Sequence, residues 1–188
     1  MSEKSAEQER LEKNAPTQCR QVYAGRTIAL RLDTVQMPDG RVKTWDVVVH
    51  PGAVVILPIT DKKEILFVKQ WRRAVQKRLI ELPAGTLEEG EPVEECAQRE
   101  LREETGFRAG ELVSMGGFYS APGFCSEYLH LFFAKGLVKD PLDGDDDEKI
   151  DLLCLTLPQV EAMIVSGEIC DAKTLAGIQR YVQWSAKS

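Results

Sequence analysis

Glu100, Glu103 and Glu104 stand in one short segment, Arg99-Glu100-Leu101-Arg102-Glu103-Glu104-Thr105-Gly106. Separations of three and four residues put the three carboxylates on one face of a helix, where like charges repel and cost stability. Two arrangements relieve that repulsion. In one, the glutamates form a solvated face paired with Arg99 and Arg102. In the other, they hold a divalent cation. Carboxylate oxygens suit Mg²⁺, which keeps several waters and works with substrate phosphates. Zinc is disfavoured, because His50 and His130 lie far apart and none of Cys19, Cys96, Cys125, Cys154 and Cys170 forms a C-x-x-C pair. The segment therefore reads as a magnesium–phosphate site.

A helix must carry these side chains. Pro92 fits its first turn, where a missing N–H costs little, and Gly106 ends it just past Thr105. Val93, Cys96, Ala97 and Leu101 recur at spacings of three and four and supply its buried stripe. Upstream, residues 1–16 read as a mobile tail or a loose helix, ended by Pro16. Val22, Ile28, Leu30 and Leu32 mark one strand. Pro38-Asp39-Gly40 marks a turn and Val42 to Val49 a second strand, so the two predict a small hairpin. Ala53 to Pro58 and Glu64 to Lys69, joined at Thr60–Lys63, predict a buried hairpin. Leu79 to Leu82 is a short strand ended by Pro83-Ala84-Gly85. Downstream come strands near Leu112–Tyr119, Tyr128–Leu137 and Ile150–Leu157, then a helix opened by Pro158 and a last one capped by Asp171. This is a mixed α/β (α+β) pattern with helices covering a mixed sheet.

The bulk composition narrows the function classes. A chain of 188 residues, 43% hydrophobic, can bury a core without disulfide staples. A net charge of −6 argues against a general nucleic-acid or membrane-surface binder. An odd number of cysteines without paired spacing reads as reduced thiols in a cytoplasmic protein. Residues Met1 to Asn14 are too polar for a signal peptide, and no apolar run is long enough to span a bilayer.

Beyond the acidic segment, Gly85, Glu91, Arg99, Glu100, Leu101, Glu103, Glu104, Gly106 and Phe107 fall at fixed intervals. This resembles the box of the Nudix hydrolases, G-x5-E-x7-R-E-U-x-E-E-x-G-U with U a large apolar residue, at every fixed position. The resemblance implies an α/β/α sandwich and hydrolysis of a pyrophosphate bond with Mg²⁺, for which Mn²⁺ can substitute. It makes Glu100, Glu104 and the carbonyl of Ala84 metal ligands. Arg99, paired with Glu91, orients the carboxylates. Glu103 either ligates a second cation or acts on its bound water.

Flanking residues resemble the ADP-ribose pyrophosphatase branch, which also covers other nucleoside-diphosphate sugars such as GDP-mannose. They are Lys43-Thr44-Trp45-Asp46, His50-Pro51-Gly52-Ala53, Val68-Lys69-Gln70-Trp71-Arg72, Glu81-Leu82-Pro83-Ala84-Gly85, Ser120-Ala121-Pro122-Gly123 and Asp171-Ala172-Lys173-Thr174. The branch implies a homodimer with exchanged amino-terminal sheets, built from residues 17–50, on a hydrolase domain over residues 51–188. Trp45 would stack on the base, or else pack within its sheet. His50, Pro122 and Gly123 would line the substrate site. Arg72 would clamp phosphate, as a guanidinium does bidentately. Glu81 either approaches the substrate or supports a neighbouring arginine. Glu148, with Asp146 as alternative, would reach the metals or activate the water. Some relatives carry an aromatic where this chain has Thr27, and Tyr23 is the nearest substitute.

Overall fold

The structure, a computed structural model, describes residues 3–144 and 149–186. Within them the chain divides into two compact units. The first runs to Pro51 and includes Ala121–Glu127; the second holds Gly52–Ser120 and the chain from Tyr128 onward.

In the first unit, residues Glu3–Glu12 form helix α1, so the amino-terminal stretch is helical there. Strands β1 (Thr17–Ala24), β2 (Ala29–Gln36) and β3 (Val42–Val49) follow as an antiparallel sheet in that order. The expected two-stranded hairpin is thus corrected to three strands. The stretch from Val22 to Leu32 folds back on itself, with the Gly25 N–H donating to the Ile28 carbonyl at 2.8 Å. Tyr23 then lies opposite Leu30. The third strand has a physical reason, since an isolated two-stranded hairpin is marginal in water. Residues 121–127 are tied to β3: the Val48 N–H donates to the Phe124 carbonyl at 2.7 Å, and the Ser126 N–H to the Val48 carbonyl at 2.9 Å.

The second unit contains β4 (Ala53–Pro58), β5 (Glu64–Arg72), β6 (Lys77–Glu81), β7 (Ala84–Thr86), α2 (Val93–Thr105), β8 (Phe107–Arg108), β9 (Glu111–Tyr119), β10 (Tyr128–Lys135), β11 (Val138–Lys139), β12 (Asp151–Thr156), α3 (Leu157–Ser166) and α4 (Ala172–Ser185). A mixed sheet runs β7-β4-β10-β9, with β4 and β10 parallel, and an antiparallel sheet runs β12-β5-β6. The expected hairpin between β4 and β5 is therefore corrected. They lie in different sheets, linked by the isolated Ile59–Ile65 bridge just beyond the end of β4. The reason is burial: β4 is buried along its whole length, and a strand covered on both faces belongs inside a sheet with a neighbour on each side. Ala84-Gly85, expected to end a strand, instead opens β7 and pairs with Val55 and Val54.

Alternation along β4 and β10 splits the core into two layers. Val55, Leu57, Leu129, Leu131 and Phe133 face the antiparallel sheet and α4, joining Phe67, Leu82 and Ile178. Val54, Ile56, Phe132 and Ala134 face α2 and meet Cys96, Ala97 and Leu101. Helix α2 starts after Pro92 and ends at Gly106, whose φ of 76° is the left-handed conformation that glycine adopts without strain. Glu100 and Glu104 border its buried stripe, and Glu104 is itself among the buried residues of the helix. Leu101 is fully buried between Glu100 and Glu104 in sequence. Replacing it with alanine should cost about 2–5 kcal/mol of stability. Urea unfolding measures this, and a midpoint unchanged from wild type would refute the packing of α2 described here.

Candidate active site

The site forms where α2 meets the short strand β7. Two carboxylates lie against the β7 backbone. The Ala84 N–H donates to Glu104 Oε2 at 2.9 Å, and Glu104 is buried. Glu100 lies over Gly85: a Cβ there would stand 1.8 Å from the Glu100 carboxyl carbon and 2.0 and 2.2 Å from its oxygens. Gly85 is therefore required for lack of a side chain.

Arg99 gathers the remaining acids. Its Nε donates to Glu91 Oε1 at 2.8 Å and its Nη2 to Glu91 Oε2 at 2.9 Å, a bidentate fork. Its Nη1 donates to Glu100 Oε1 at 2.6 Å and Glu103 Oε2 at 3.1 Å. One guanidinium thus touches three carboxylates. Arg102 pairs with Asp140, donating to its carbonyl at 3.0 Å and to Oδ1 at 3.2 Å. The hydrogen bonds from Arg99 hold the Glu91 carboxyl well down, at about 2, against the opposing effect of burial. Burial, and then the Glu91 carboxylate, push the Cys96 thiol far up, so it stays protonated and unreactive.

A second charged cluster stands at the ends of β5 and β6. Glu81, fully buried, accepts from Arg72 Nε at 2.8 Å and Nη2 at 2.7 Å, and also from Lys173 Nζ. Burial raises the Glu81 carboxyl, but the bonds from Arg72 and the charge of Lys173 outweigh it and hold the group below its ordinary value. Glu81 is thus an arginine's partner in this structure. The Glu104 carboxylate also helps to raise Arg72, which places the two clusters within electrostatic reach. Lys173 was visible in sequence only as part of a four-residue motif. The signal that could have singled it out is the pairing of a buried-strand glutamate with more than one cation.

Trp45, His50, Pro122 and Gly123 all lie in the first unit. Lys43 Nζ sits 5.7 Å from the Trp45 ring centroid, within cation–π range. His50 Nε2 stands 3.6 Å from Glu127, and Pro122 and Gly123 form an exposed turn. Arg72, Glu81, Ala84, Arg99, Glu100, Glu103 and Glu104 belong to the second unit. Glu148 and Asp146 fall outside the described residues.

The donor chemistry fits a hard divalent cation. Glu100 and Glu104 offer oxygen only, and the backbone of Ala84 adjoins them. Among the described residues no three His, Cys, Asp or Glu side chains form a metal-holding group by themselves. Two carboxylates and a backbone carbonyl would leave room for the waters that Mg²⁺ retains. Also among the described residues, no helix is long and apolar enough to cross a membrane.

Comparison with known proteins places these features in context. A family model described as NUDIX domain matches residues 49–175. The chain is 39% identical over 165 residues to the ADP-ribose pyrophosphatase of Bacillus subtilis (strain 168), covering 87% of this chain and 89% of that protein. Identity and coverage are the same for the methanol dehydrogenase activator of Bacillus methanolicus. The GDP-mannose pyrophosphatase of Escherichia coli (strain K12) is 36% identical over 143 residues, covering 71% of this chain and 74% of its own. A crystal structure of an ADP compounds hydrolase superposes with a TM-score of 0.81 at 21% identity, covering 90% of this chain and 93% of that one, and shows the shared fold.

Two outcomes follow from the geometry. Gly85→Ala should leave melting within a few degrees of wild type, because the nearest atoms belong to one side chain, yet abolish activity by displacing Glu100. Retained activity would show that the carboxylate pose is dispensable. The Glu91–Arg99 pair adds stability that is complete above the carboxyl's ordinary value of 4.5 and is lost as pH falls toward about 2. Urea unfolding between about pH 6 and about pH 3 should therefore show a larger loss for wild type than for Glu91→Gln. Equal losses would contradict the pairing.

Proposed function

The chain belongs to the NUDIX domain family, and we propose that it hydrolyses the pyrophosphate bond of ADP-ribose or a related nucleoside-diphosphate sugar, releasing a nucleoside monophosphate and a sugar phosphate. It is a hydrolase acting on pyrophosphate bonds. The observation that carries the reading is the pair of carboxylates, Glu100 and Glu104, held against the β7 backbone, with Arg72 in electrostatic reach of Glu104.

Nudix ADP-ribose pyrophosphatases are generally dependent on divalent metal. Glu100, Glu104 and the Ala84 carbonyl would hold the cation, Mg²⁺ with Mn²⁺ able to substitute. A bound divalent ion lowers the pKa of water and neutralises charge developing on phosphoryl oxygens. The chain's own residues do the rest. Arg99 draws Glu100 and Glu103 together on Nη1, offsets their repulsion and fixes their orientation. Glu103 is one candidate to accept the proton of the attacking water; Glu148 is the other, with Asp146 beside it in sequence. Arg72 binds a phosphate oxygen through Nη1, the nitrogen that Glu81 does not engage.

Trp45 stacks on the base, an interaction worth about 1–3 kcal/mol, and His50, Pro122 and Gly123 are further substrate-binding residues. Val22, Tyr23, Ile28 and Val42 are large apolar side chains left exposed in the first unit. Their exposure supports a homodimer with exchanged amino-terminal sheets. The net charge of −6 supports an enzyme that binds neither nucleic acid nor a membrane surface, and the odd number of cysteines without paired spacing supports a cytoplasmic one. A second reading, GDP-mannose as the preferred substrate, is favoured by the likeness to GDP-mannose pyrophosphatases. A catalytically inactive nucleotide sensor is disfavoured by the intact box from Gly85 to Phe107.

A panel of diphosphate sugars assayed with Mg²⁺ tests the proposal. ADP-ribose should give AMP and ribose 5-phosphate, and Glu104→Gln should lower kcat by at least roughly a hundredfold. No turnover of any nucleoside-diphosphate sugar would overturn it.

A further inference from the structure

Glu81 sits at the end of β6 with its side chain 1% exposed, and it receives two cations where one would neutralise it. Strand register shows how they arrive. Glu81 lies opposite Val68 and Leu79 opposite Gln70, so Val68, Gln70 and Arg72 share a face with Glu81. Arg72 stands four residues beyond Val68, and its guanidinium must reach back along that face past the buried Gln70 to make its two bonds. Those bonds engage Nε and Nη2. A guanidinium is planar, so Nη1 then points away from Glu81.

Lys173 comes out of the first turn of α4. That turn is already docked without it. Asp171 caps the helix by accepting from the Thr174 N–H at 3.0 Å and from Thr174 Oγ1 at 2.7 Å. Thr174 Oγ1 in turn accepts the Leu82 N–H at 2.8 Å. The ammonium of Lys173 makes a second, charged tie between the same two elements. It spans from Asp171 Oδ2, at 3.1 Å, to Glu81. A lysine head buried to this degree loses hydration and must be paired.

The charge balance shows what the pairing does. Glu81 and Asp171 are matched by Arg72 and Lys173, so the cluster is neutral. Without Lys173 it carries one net negative charge beside Arg72, and Arg72 alone must compensate a buried carboxylate. We infer that Lys173 is a positioning residue, which clamps Glu81 so that Arg72 is held with Nη1 facing the substrate diphosphate. This rests on the reading of Arg72 as a phosphate-binding residue.

The test pairs kinetics with a readout that needs no catalysis. Lys173→Met should raise KM for a diphosphate sugar by roughly tenfold, as loss of a charge-assisted bond implies, while kcat falls by less. Lys173→Arg, which keeps the charge, should restore KM to within about threefold of wild type. In ¹⁵N spectra of the arginine side chains, the Arg72 Nε–H should be slow to exchange in wild type and Lys173→Arg, and fast in Lys173→Met. Lys173→Gln serves in the same measurements if the methionine variant does not fold. Wild-type KM in Lys173→Met or Lys173→Gln overturns the inference, even where melting temperature falls, since that outcome belongs to helix docking alone. Should the wild type hydrolyse no diphosphate sugar, it is the functional reading that fails. The Arg72 signal then decides the positioning role by itself: slow exchange in the charge-removed variant overturns it.

Discussion

One guanidinium holds the site together. Glu91, Glu100 and Glu103 converge on Arg99, which meets all three through Nε, Nη1 and Nη2. Left to themselves, three partly buried carboxylates would repel one another and shed protons only at a cost. Lysine could not replace arginine here. A point charge on a flexible stem cannot grip one carboxylate with two nitrogens and direct a third toward two others. The excess of negative charge that remains, with Glu104 added from the next turn, is what a divalent cation would relieve. Stability and cation affinity thus oppose each other in this segment, and Arg99 sets the balance.

The rest of the second unit serves that balance by fixing two backbones relative to each other. Helix α2 presses Cys96, Ala97 and Leu101 onto Val54 and Ile56 of β4. Strand β7, paired to Val54 and Val55, is thereby fixed beneath Glu100 and Glu104. The loop before β7 is held from the far side, where Thr174 accepts the Leu82 N–H. The carboxylates and the backbone carbonyl are therefore referred to the β7-β4-β10-β9 sheet and Arg72 to the β12-β5-β6 sheet, placements more precise than loops provide.

Much of this was legible in the residues. The apolar spacing of α2, the proline before it and the glycine after it locate the helix to within a residue, because local periodicity and cap chemistry determine those features. The Gly85-to-Phe107 box identifies the carboxylates, since its spacing encodes one helix and its contact strand. What periodicity cannot encode is partner choice between strands. Ala53–Pro58 and Glu64–Lys69 looked like a hairpin because both are apolar and near in sequence; the structure sends them to separate sheets. The first unit has three strands where its sequence suggests two for a related reason. Nothing between Val22 and Leu32 announces a turn as plainly as Pro38-Asp39-Gly40 does, although Gly25 makes one. Lys173 stayed hidden because it meets Glu81 across 92 residues of chain.

We propose that the crowded glutamates of α2 and the β7 backbone form a divalent-cation site. Titration of Mn²⁺ followed by electron paramagnetic resonance tests it without substrate. The wild type should bind the ion, and the double variant Glu100→Gln/Glu104→Gln should lose at least roughly tenfold in affinity while remaining folded. Equal binding by the two proteins would contradict the account.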